Sequence, residues 1–460
     1  MLPSSSFDPL SEHAPHLSAQ DIAKPEQTRA LVAFAAALIA AAILAFTFVL
    51  WAIALLGGAI IVAMMTLRYA AALAPRRADK LNIGADADDI LPHYSILCPA
   101  YREARALPGL ITALDRLDYP REQMDVIILT EPDDAATRSA AEDAASTRAW
   151  MRVIEAPPLG PKTKPKALNA GLLAARGDLL TVYDAEDRPD PQQLRAAAAA
   201  FAQDDGRLAC VQAPLAAYNG AERWIAGQFA LEYKIQFGYM LPLLARLGWP
   251  ILLGGTSNHF RTSILRRHFG WDSYNVTEDA DLGLRLARAG LRTGIIAPPT
   301  HEEAPIRLRA WRRQRTRWIK GHLVTWLVHM RRPGDLLREL GFWRFAGMQL
   351  TLGGGLLSSF AHGPLLTFAL LSLASSEEWR SALAALLIGY GAAWARALRA
   401  AIDDRDWRIL TRALTAPFYW PVQSWAALCA LWELPRTPHI WTKTEHGLTS
   451  EAAPLSKTAA

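Results

Sequence analysis

The sequence predicts an α/β domain with a mostly parallel sheet, flanked by membrane-spanning helices. Between about Pro92 and Pro299, short apolar β-type runs alternate with helix-like stretches, as in layered α/β domains. Long uncharged runs lie near both ends of the 460-residue chain, in which 51% of residues are hydrophobic. A globular domain held between membrane segments accounts for both observations.

The first apolar run, Ala30 to Leu67, contains no charged residue. One membrane helix needs roughly 20 apolar residues, so this run predicts a hairpin that turns near Leu50-Trp51 or Gly57-Gly58. A cleaved signal peptide is the alternative, but the run is too long for one. The basic residues that follow indicate that the next domain lies in the cytoplasm: Arg68, Arg76, Arg77 and Lys80.

A second apolar region begins near Phe345. Residues 345–374 are predicted as one kinked span or as an interfacial piece and a span, and residues 382–395 and 414–434 as further spans. The arginines between these last two indicate a cytoplasmic loop: Arg396, Arg399, Arg405, Arg408 and Arg412. This count leaves the C-terminal tail outside the cell, unless residues 345–374 form a hairpin. The first 28 residues and the last dozen are predicted to be mobile.

The central alternation resolves into strands and helices of ordinary length. The predicted strands are Tyr94–Pro99, Asp125–Thr130, Met151–Glu155, Leu179–Tyr183, Leu208–Gln212 and Thr293–Ala297. The predicted helices are Leu107–Leu117, Ala135–Arg148, Lys166–Ala175, Pro191–Ala202 and Glu278–Ala289. Ligands of such sheets bind beyond the carboxyl ends of the strands.

Two other classes of protein are disfavoured. Cys98, Cys210 and Cys429 are far apart and odd in number, which argues against a disulfide framework or a cysteine metal site and fits a reducing cytosol. Neither a Gly-x-Gly-x-x-Gly after the first strand nor a phosphate loop is present, which disfavours dinucleotide oxidoreductases and P-loop enzymes.

Carboxylates follow the strand that ends at Tyr183. Asp184, Glu186 and Asp187 could converge on one hard divalent cation and leave open positions for diphosphate oxygens. A solvated turn is the alternative, because Asp190-Pro191 also fits the start of a helix.

Thr277-Glu278-Asp279 opens a predicted helix. Acidic residues are common in a first helical turn for electrostatic reasons alone. A helix start beyond the sheet could also place Glu278 and Asp279 as catalytic carboxylates, within reach of a hydroxyl that loses its proton.

The segment from Ala310 to Gly321 is dense in arginine and tryptophan. Arginine binds phosphate oxygens and tryptophan stacks on sugar rings. A basic helix resting on lipid headgroups is the alternative, with Arg312, Arg313 and Lys320 as the lipid-facing residues. The neighbouring membrane segment disfavours nucleic-acid binding.

Further candidates lie in loops. Lys166, at a helix entry, could reach a phosphate, although a solvated lysine fits as well. The residues after the first two strands could hold a base and ribose: Tyr101, Glu103, Glu131 and Asp133. The glycine-rich loop around Thr256 could approach an acceptor, although a simple turn is the alternative.

In this order, the motifs resemble the membrane-bound branch of the family 2 inverting glycosyltransferases, which includes cellulose and poly-N-acetylglucosamine synthases. The likeness spans roughly Arg29 to Gly447. Its motifs are Cys-Pro-Ala-Tyr-Arg-Glu from 98, Lys-Pro-Lys-Ala-Leu-Asn from 164, Asp-Ala-Glu-Asp from 184, Thr-Glu-Asp from 277, Gln-Arg-Thr-Arg-Trp from 314 and Trp-Thr-Lys-Thr-Glu-His-Gly from 441.

The resemblance implies a GT-A type domain and a role for each matched residue. Asp184 and Glu186 would hold Mg²⁺ or Mn²⁺, although the family has aspartate at the second of these positions. Asp279 would be the general base, and Glu131 and Asp133 would lie near the uridine. The other implied donor contacts are Tyr101, Glu103, Lys166 and Arg317, and the implied acceptor contacts are Gln314, Trp318 and Thr256.

The predicted layout is a mobile N-tail (1–28), a transmembrane hairpin (29–68), the GT-A domain (90–300), interfacial helices (301–342), C-terminal spans (343–434) and a tail (435–460). We expect a multi-pass protein of the bacterial inner membrane that uses a UDP-sugar and contacts membrane lipids, but not nucleic acid. The leading hypothesis is a processive exopolysaccharide synthase, with which export or periplasmic partners would be compatible. The alternatives are single addition to a lipid-linked acceptor and a non-catalytic nucleotide- or lipid-binding protein.

Overall fold

The structure, a computed structural model, describes residues 8–74, 91–373 and 379–440. Arg76, Arg77, Lys80 and the motif from 441 therefore lie outside the described residues. The strands are β1 Tyr94–Ala100, β2 Met124–Thr130, β3 Met151–Glu155, β4 Leu179–Val182, β5 Arg188–Pro189, β6 Leu208–Gln212, β7 Leu215–Ala217, β8 Asn258–Arg261, β9 Arg292–Ile295 and β10 Thr300–Glu302.

The central sheet is mostly parallel, as the sequence predicts. Its strand order is β3-β2-β1-β4-β8-β6-β9, and only β8 runs antiparallel to its neighbours. All six predicted strands occur there, because near-continuous apolar runs can be buried on both faces of a sheet. A smaller sheet joins β5, β10 and β7.

Helices cover both faces of the sheet, and the five predicted ones occur with shifted ends. The helices of the first half are α1 Pro9–His13, α2 Pro25–Leu44, α3 Phe46–Leu73, α4 Leu107–Leu114, α5 Ala135–Ser146, α6 Lys164–Ala174, α7 Gln193–Ala202 and α8 Trp224–Ile235. Those of the second half are α9 Leu241–Arg246, α10 Thr262–Arg267, α11 Glu278–Arg288, α12 Leu308–His329, α13 Pro333–Met348, α14 Gly354–Leu373, α15 Trp379–Asp404, α16 Arg408–Leu414 and α17 Ala416–Glu433.

Strand β8 and helix α8 are absent from the sequence prediction. β8 has the polar sequence Asn-His-Phe-Arg and pairs with β4 and β6. Buried His259 accounts for its place, because the ring contacts Tyr94 Oη at 2.5 Å and Gln193 Oε1 at 3.2 Å. Such partners lie far away in the sequence, so local pattern does not reveal them.

Four helical stretches among the described residues are long and apolar enough to cross a membrane: Pro25–Leu44, Leu55–Leu73, Pro333–Leu373 and Trp379–Asp404. The N-terminal break lies at Ala45, so the turn predicted near Leu50-Trp51 or Gly57-Gly58 is wrong. The two glycines continue helix α3, which runs from Phe46 to Leu73.

The C-terminal region also differs from the prediction. α15 extends to Asp404, so Arg396 and Arg399 belong to a helix rather than to a loop. Helix α17 is not among the candidate spans. It packs along α12, where Trp311 Nε1 donates to Tyr419 Oη at 2.9 Å and Lys320 Nζ to Glu433 Oε2 at 3.1 Å. A helix therefore occurs where the span 414–434 was predicted, and both the membrane crossing there and the external tail stay predictions.

Residues 8–23 pack on the α/β domain, where a mobile tail was expected. Asp272 accepts hydrogen bonds from Ala19 N at 2.6 Å and Ser18 Oγ at 3.2 Å. His13 stacks on Phe269 with 5.1 Å between ring centroids. These contacts fix the start of α2 beside α12, where Gln27 Nε2 donates to the carbonyl oxygen of Leu327 at 2.8 Å.

Candidate active site

The loops after β1, β2 and β4 meet the first turns of α6 and α11 at a cavity of about 560 Å³. This is the edge at which ligands of open α/β sheets bind. Most sequence-predicted site residues line it: Tyr101, Glu103, Glu131, Asp184, Glu186, Thr256, Glu278, Asp279, Gln314, Arg317 and Trp318. Asp133 and Lys166 are not among the lining residues.

Lys166 does not face the cavity, contrary to the expectation that it reaches a phosphate. Its side chain is fully buried, with Nζ 3.2 Å from Glu131 Oε2 and 2.9 Å from the carbonyl oxygen of Pro157. Asp133 lies at the rim, where it accepts hydrogen bonds from Lys162 Nζ at 2.7 Å and from Tyr101 Oη at 3.3 Å.

Lys164, two positions earlier, is the lysine in the cavity, and sequence reasoning missed it. Its Nζ lies 2.5 Å from Asp184 Oδ1 and donates to the carbonyl oxygen of Gly255 at 2.6 Å. Burial opposes its positive charge, but nearby carboxylates, led by Asp184 and Glu278, outweigh that and raise the pKa of Lys164. The signal was Pro165: proline favours the first helical turn, which places the start of α6 at Lys164.

Glu278 and Asp279 begin α11 and face the same cavity. Burial raises the pKa of Asp279 to about 6, against the opposing effects of the Ala280 amide, Lys164 and Arg317. Burial and the adjacent Asp279 raise the pKa of Glu278 further. Burial and their closeness therefore oppose the ionisation of both carboxylates at once, an arrangement in which one can act as a base while the other holds a proton.

The β4 loop is shaped by Asp187, whose carboxylate is buried. It accepts a hydrogen bond from the Asp184 amide at 2.7 Å and another from the Thr256 hydroxyl. The Thr256 hydroxyl also donates towards the carbonyl oxygen of Val182, so its side chain stabilises the fold. Both contacts of the Thr256 side chain are made within the fold, and its role in acceptor binding stays a prediction.

Asp184 and Glu186 could hold a divalent cation. No group of three or more His, Cys, Asp or Glu residues with metal-binding geometry occurs within 8–74, 91–373 and 379–440. Mg²⁺ and Mn²⁺ in nucleotide sites need only one or two carboxylates, since phosphate oxygens and water complete the shell. Glu302 lies beside this pair, and burial followed by the charge of Glu186 raises its pKa to about 8. This crowding of carboxylates fits an added cation.

Glu302 is a second residue that the sequence prediction missed. It reaches the cavity from β10, in the small sheet. Only the pairing of β10 with β7 brings it there, through the register of Glu302 opposite Ala217. No motif in the sequence marks it.

Helix α12 contributes three predicted residues, Gln314, Arg317 and Trp318, to the cavity wall. Gln314 Oε1 is buried and makes no hydrogen bond with any described residue. Trp318 lies parallel to Tyr233 with 6.4 Å between ring centroids. Arg317 interacts electrostatically with both Glu278 and Asp279. This part of α12 therefore faces the acidic side of the cavity.

The other residues of this segment anchor α12. Arg315 is buried and pairs through both guanidinium nitrogens with the Glu232 carboxylate. Lys320 is also buried and contacts Glu433, so the expectation that it faces lipid is wrong. Arg313 is exposed, whereas Arg312 packs over the Trp425 ring at 4.6 Å. The buried pairs hold α12 against α8 and α17.

Gly321 allows α12 to approach the start of α11. A Cβ atom at position 321 would lie 2.4 Å from Thr277 Oγ1 and 2.5 Å from Thr277 Cγ2. Any side chain there would push the two helices apart. The packing of these helices therefore sets the distance between Asp279 and the Gln314–Trp318 segment.

Comparisons with known proteins find similar sequences and a similar fold. Residues 179–397 match the family described as "Glycosyl transferase family group 2". A solved mannosyltransferase from Pyrobaculum calidifontis, in complex with GDP-Man and Mn²⁺, has a similar fold: the TM-score is 0.50 at 18% identity, covering 82% of this chain and 98% of that one.

The curated relatives are similar over about half of the chain. A probable glycosyltransferase of Bacillus subtilis, YdaM, is 28% identical over 50% of this chain and 56% of its own length. The β-monoglucosyldiacylglycerol synthase of Synechocystis is 25% identical over 60% of this chain and 58% of its own length. Cellulose synthase 1 catalytic subunit of Komagataeibacter xylinus is 27% identical over 58% of this chain and 35% of its own length.

The fold is that of the GT-A-like α/β domains, flanked by apolar helices. Within that class, residues 179–397 are similar to the family 2 glycosyltransferases. This similarity agrees with the resemblance stated from the motifs, whereas the membrane-bound exopolysaccharide branch stays a prediction.

Proposed function

We propose that this protein transfers a sugar, with inversion, from a UDP-sugar to an acceptor hydroxyl, with the active site facing the cytoplasm. The observation that carries the proposal is the meeting of Asp184 and Asp279 in one cavity, with Lys164 between their loops. The two carboxylates are 95 positions apart in the sequence. A buried carboxylate with a raised pKa in a cavity favours catalysis over binding alone.

In the proposed reaction, Asp279 accepts the proton of the acceptor hydroxyl as its oxygen attacks the anomeric carbon. The bond from that carbon to the diphosphate breaks on the opposite side, and a single displacement converts an α-linked donor into a β-glycoside. Lys164 and Arg317 supply positive charge next to the departing diphosphate. Asp184 and Glu186 would hold Mg²⁺ or Mn²⁺, which neutralises diphosphate charge when bound.

A growing β-linked polysaccharide is the first candidate acceptor. Aromatic side chains line the cavity from α12 towards α15 and α17, and such rings stack on sugars: Trp318, Tyr390, Tyr419 and Trp420. Gln314 at the same wall has a carbonyl oxygen without a hydrogen-bond partner among the described residues. A sugar hydroxyl would satisfy it.

A lipid-linked acceptor that receives one sugar is the second candidate. The cavity continues between helices of the candidate membrane region, where it is lined by Met64 of α3 and Leu356 of α14. An acceptor lipid could enter there from the bilayer. The similarity to a glucosyldiacylglycerol synthase supports this alternative.

Membranes that contain the protein, incubated with labelled UDP-sugars and Mg²⁺, test the proposal. Product size separates a polymer from a single addition, and extraction into organic solvent identifies a lipid product. Asp279→Asn should lower turnover about a hundredfold to ten-thousandfold while donor binding is kept. Asp143→Asn, at an exposed position of α5, is the matched control.

Two results would contradict the proposal. Near-normal turnover of Asp279→Asn would contradict the assignment of Asp279 as the general base. Full activity in excess EDTA would contradict the assignment of a divalent cation to the reaction.

A further inference from the structure

Two arginines lie at the membrane end of the cavity. Arg68 belongs to α3 and Arg396 to α15, both of which are candidate membrane spans. Arg396 is only 7% exposed. A charged group between apolar membrane-spanning helices is costly in free energy unless it is paired. Each of these two arginines therefore requires a partner of opposite charge.

The protein itself does not supply that partner within the described ranges. Arg396 Nε is buried without a hydrogen bond, and its electrostatic neighbour is Arg68, which repels it. The nearest carboxylates along α15 have other partners: Asp403 accepts from Arg399 Nε at 3.0 Å, and Asp404 pairs with Lys234. Two like charges therefore lie together without a counter-charge from residues 8–74, 91–373 or 379–440.

The surroundings are those of a binding site. Arg68, Arg396, His362 and Tyr390 all line the cavity. His362 Nε2 lies 2.9 Å from Tyr390 Oη, which fixes both side chains at the wall. Apolar Met64 of α3 lies on the same wall, suited to hydrocarbon.

We propose that the phosphate group of a membrane lipid binds between Arg68 and Arg396. Guanidinium groups match phosphate oxygens with paired hydrogen bonds, and a phosphate would cancel the repulsion between the two arginines. The position between membrane helices favours a lipid over a soluble anion, because the ligand reaches it from the bilayer. The inference goes beyond sugar transfer and needs no donor to be tested.

The experiment uses the full-length protein, purified and stripped of lipid in detergent. Binding is measured by native mass spectrometry and thermal unfolding with phosphatidylglycerol, with diacylglycerol, which lacks phosphate, and with inorganic phosphate. We expect phosphatidylglycerol to bind and to raise Tm, and we expect neither diacylglycerol nor inorganic phosphate to do so. Stabilisation by inorganic phosphate equal to that by phosphatidylglycerol would overturn the lipid assignment, and equal binding of diacylglycerol would overturn the phosphate assignment.

Arg68→Gln and Arg396→Gln should each weaken phosphatidylglycerol binding about tenfold or more, since each removes charged hydrogen bonds. Without lipid, these variants should melt no lower than the parent, because an uncompensated cation is removed. Arg408→Gln, at an exposed position of α16, is the control that keeps binding. An equal loss in Arg408→Gln would mean non-specific surface attraction and would refute the site. A failure of the sugar-transfer proposal would leave these measurements unchanged.

Discussion

The ammonium group of Lys164 lies 2.5 Å from Asp184 Oδ1, at the centre of the cavity formed by the strand ends. Lys166, one helical position after Pro165, points instead into the core and pairs with Glu131. One short Lys-Pro-Lys motif therefore provides a cavity lysine and a structural lysine. The main correction to the site predicted from the sequence is that Lys164, and not Lys166, faces the cavity.

These two lysines should respond differently to the same substitution. Lys164→Met should raise the donor KM and lower kcat with little change in Tm, because it removes positive charge from the diphosphate region. Lys166→Met should lower the free energy of unfolding by about 3–5 kcal/mol, since it leaves Glu131 buried without its cation. Steady-state kinetics and denaturant unfolding check both. Equal losses of stability in the two variants would contradict the assignment.

The pH dependence of turnover should follow Asp279. Its pKa is raised to about 6, and a base acts only when ionised, so kcat/KM should rise with pH through that value. Below it, activity should fall about tenfold per pH unit while the protein stays folded. The pH–rate profile, recorded with circular dichroism as the folding control, checks this. A profile that stays flat down to about pH 4.5 would rule out a base with this pKa.

Gly321→Ala should disturb both stability and activity. The added methyl group would overlap Thr277, and overpacking of this kind costs about 1–3 kcal/mol. The shift of α11 away from α12 would also move Asp279, so kcat should fall as well. Gly334→Ala, where an added Cβ meets nothing within 4 Å, is the matched control. Unchanged Tm and kcat in Gly321→Ala would show that the helices can separate without consequence.

Arg315 should matter for stability and Arg313, in the same helix, should not. Arg315→Met leaves Glu232 without its partner and should lower the free energy of unfolding by about 3–5 kcal/mol. Arg313→Met changes an exposed side chain and should stay within about 0.5 kcal/mol. Chemical denaturation compares them. Replacing both Arg315 and Glu232 by Met should recover much of the loss, and a double variant as unstable as the single one would contradict the pairing.

The sequence by itself determined the sheet strands with apolar runs, the helix at Glu278, the long apolar helices and the motifs that resemble those of glycosyltransferases. Each of these features depends on residues that are close together in the sequence. A strand that is buried on both faces is apolar throughout, and each motif is a short run of neighbouring residues. That is why the linear order of residues suffices to identify Asp184, Asp279 and Trp318 as candidates.

Only the tertiary structure decided which side chains face the cavity. Lys164 and Lys166 have the same chemistry, and the helix start at Lys164 selects between them. Glu302 arrives through strand pairing, and Arg68 and Arg396 come from helices more than 300 positions apart. Such contacts depend on the packing of segments that are distant in the sequence, and a local pattern of residues does not predict that packing.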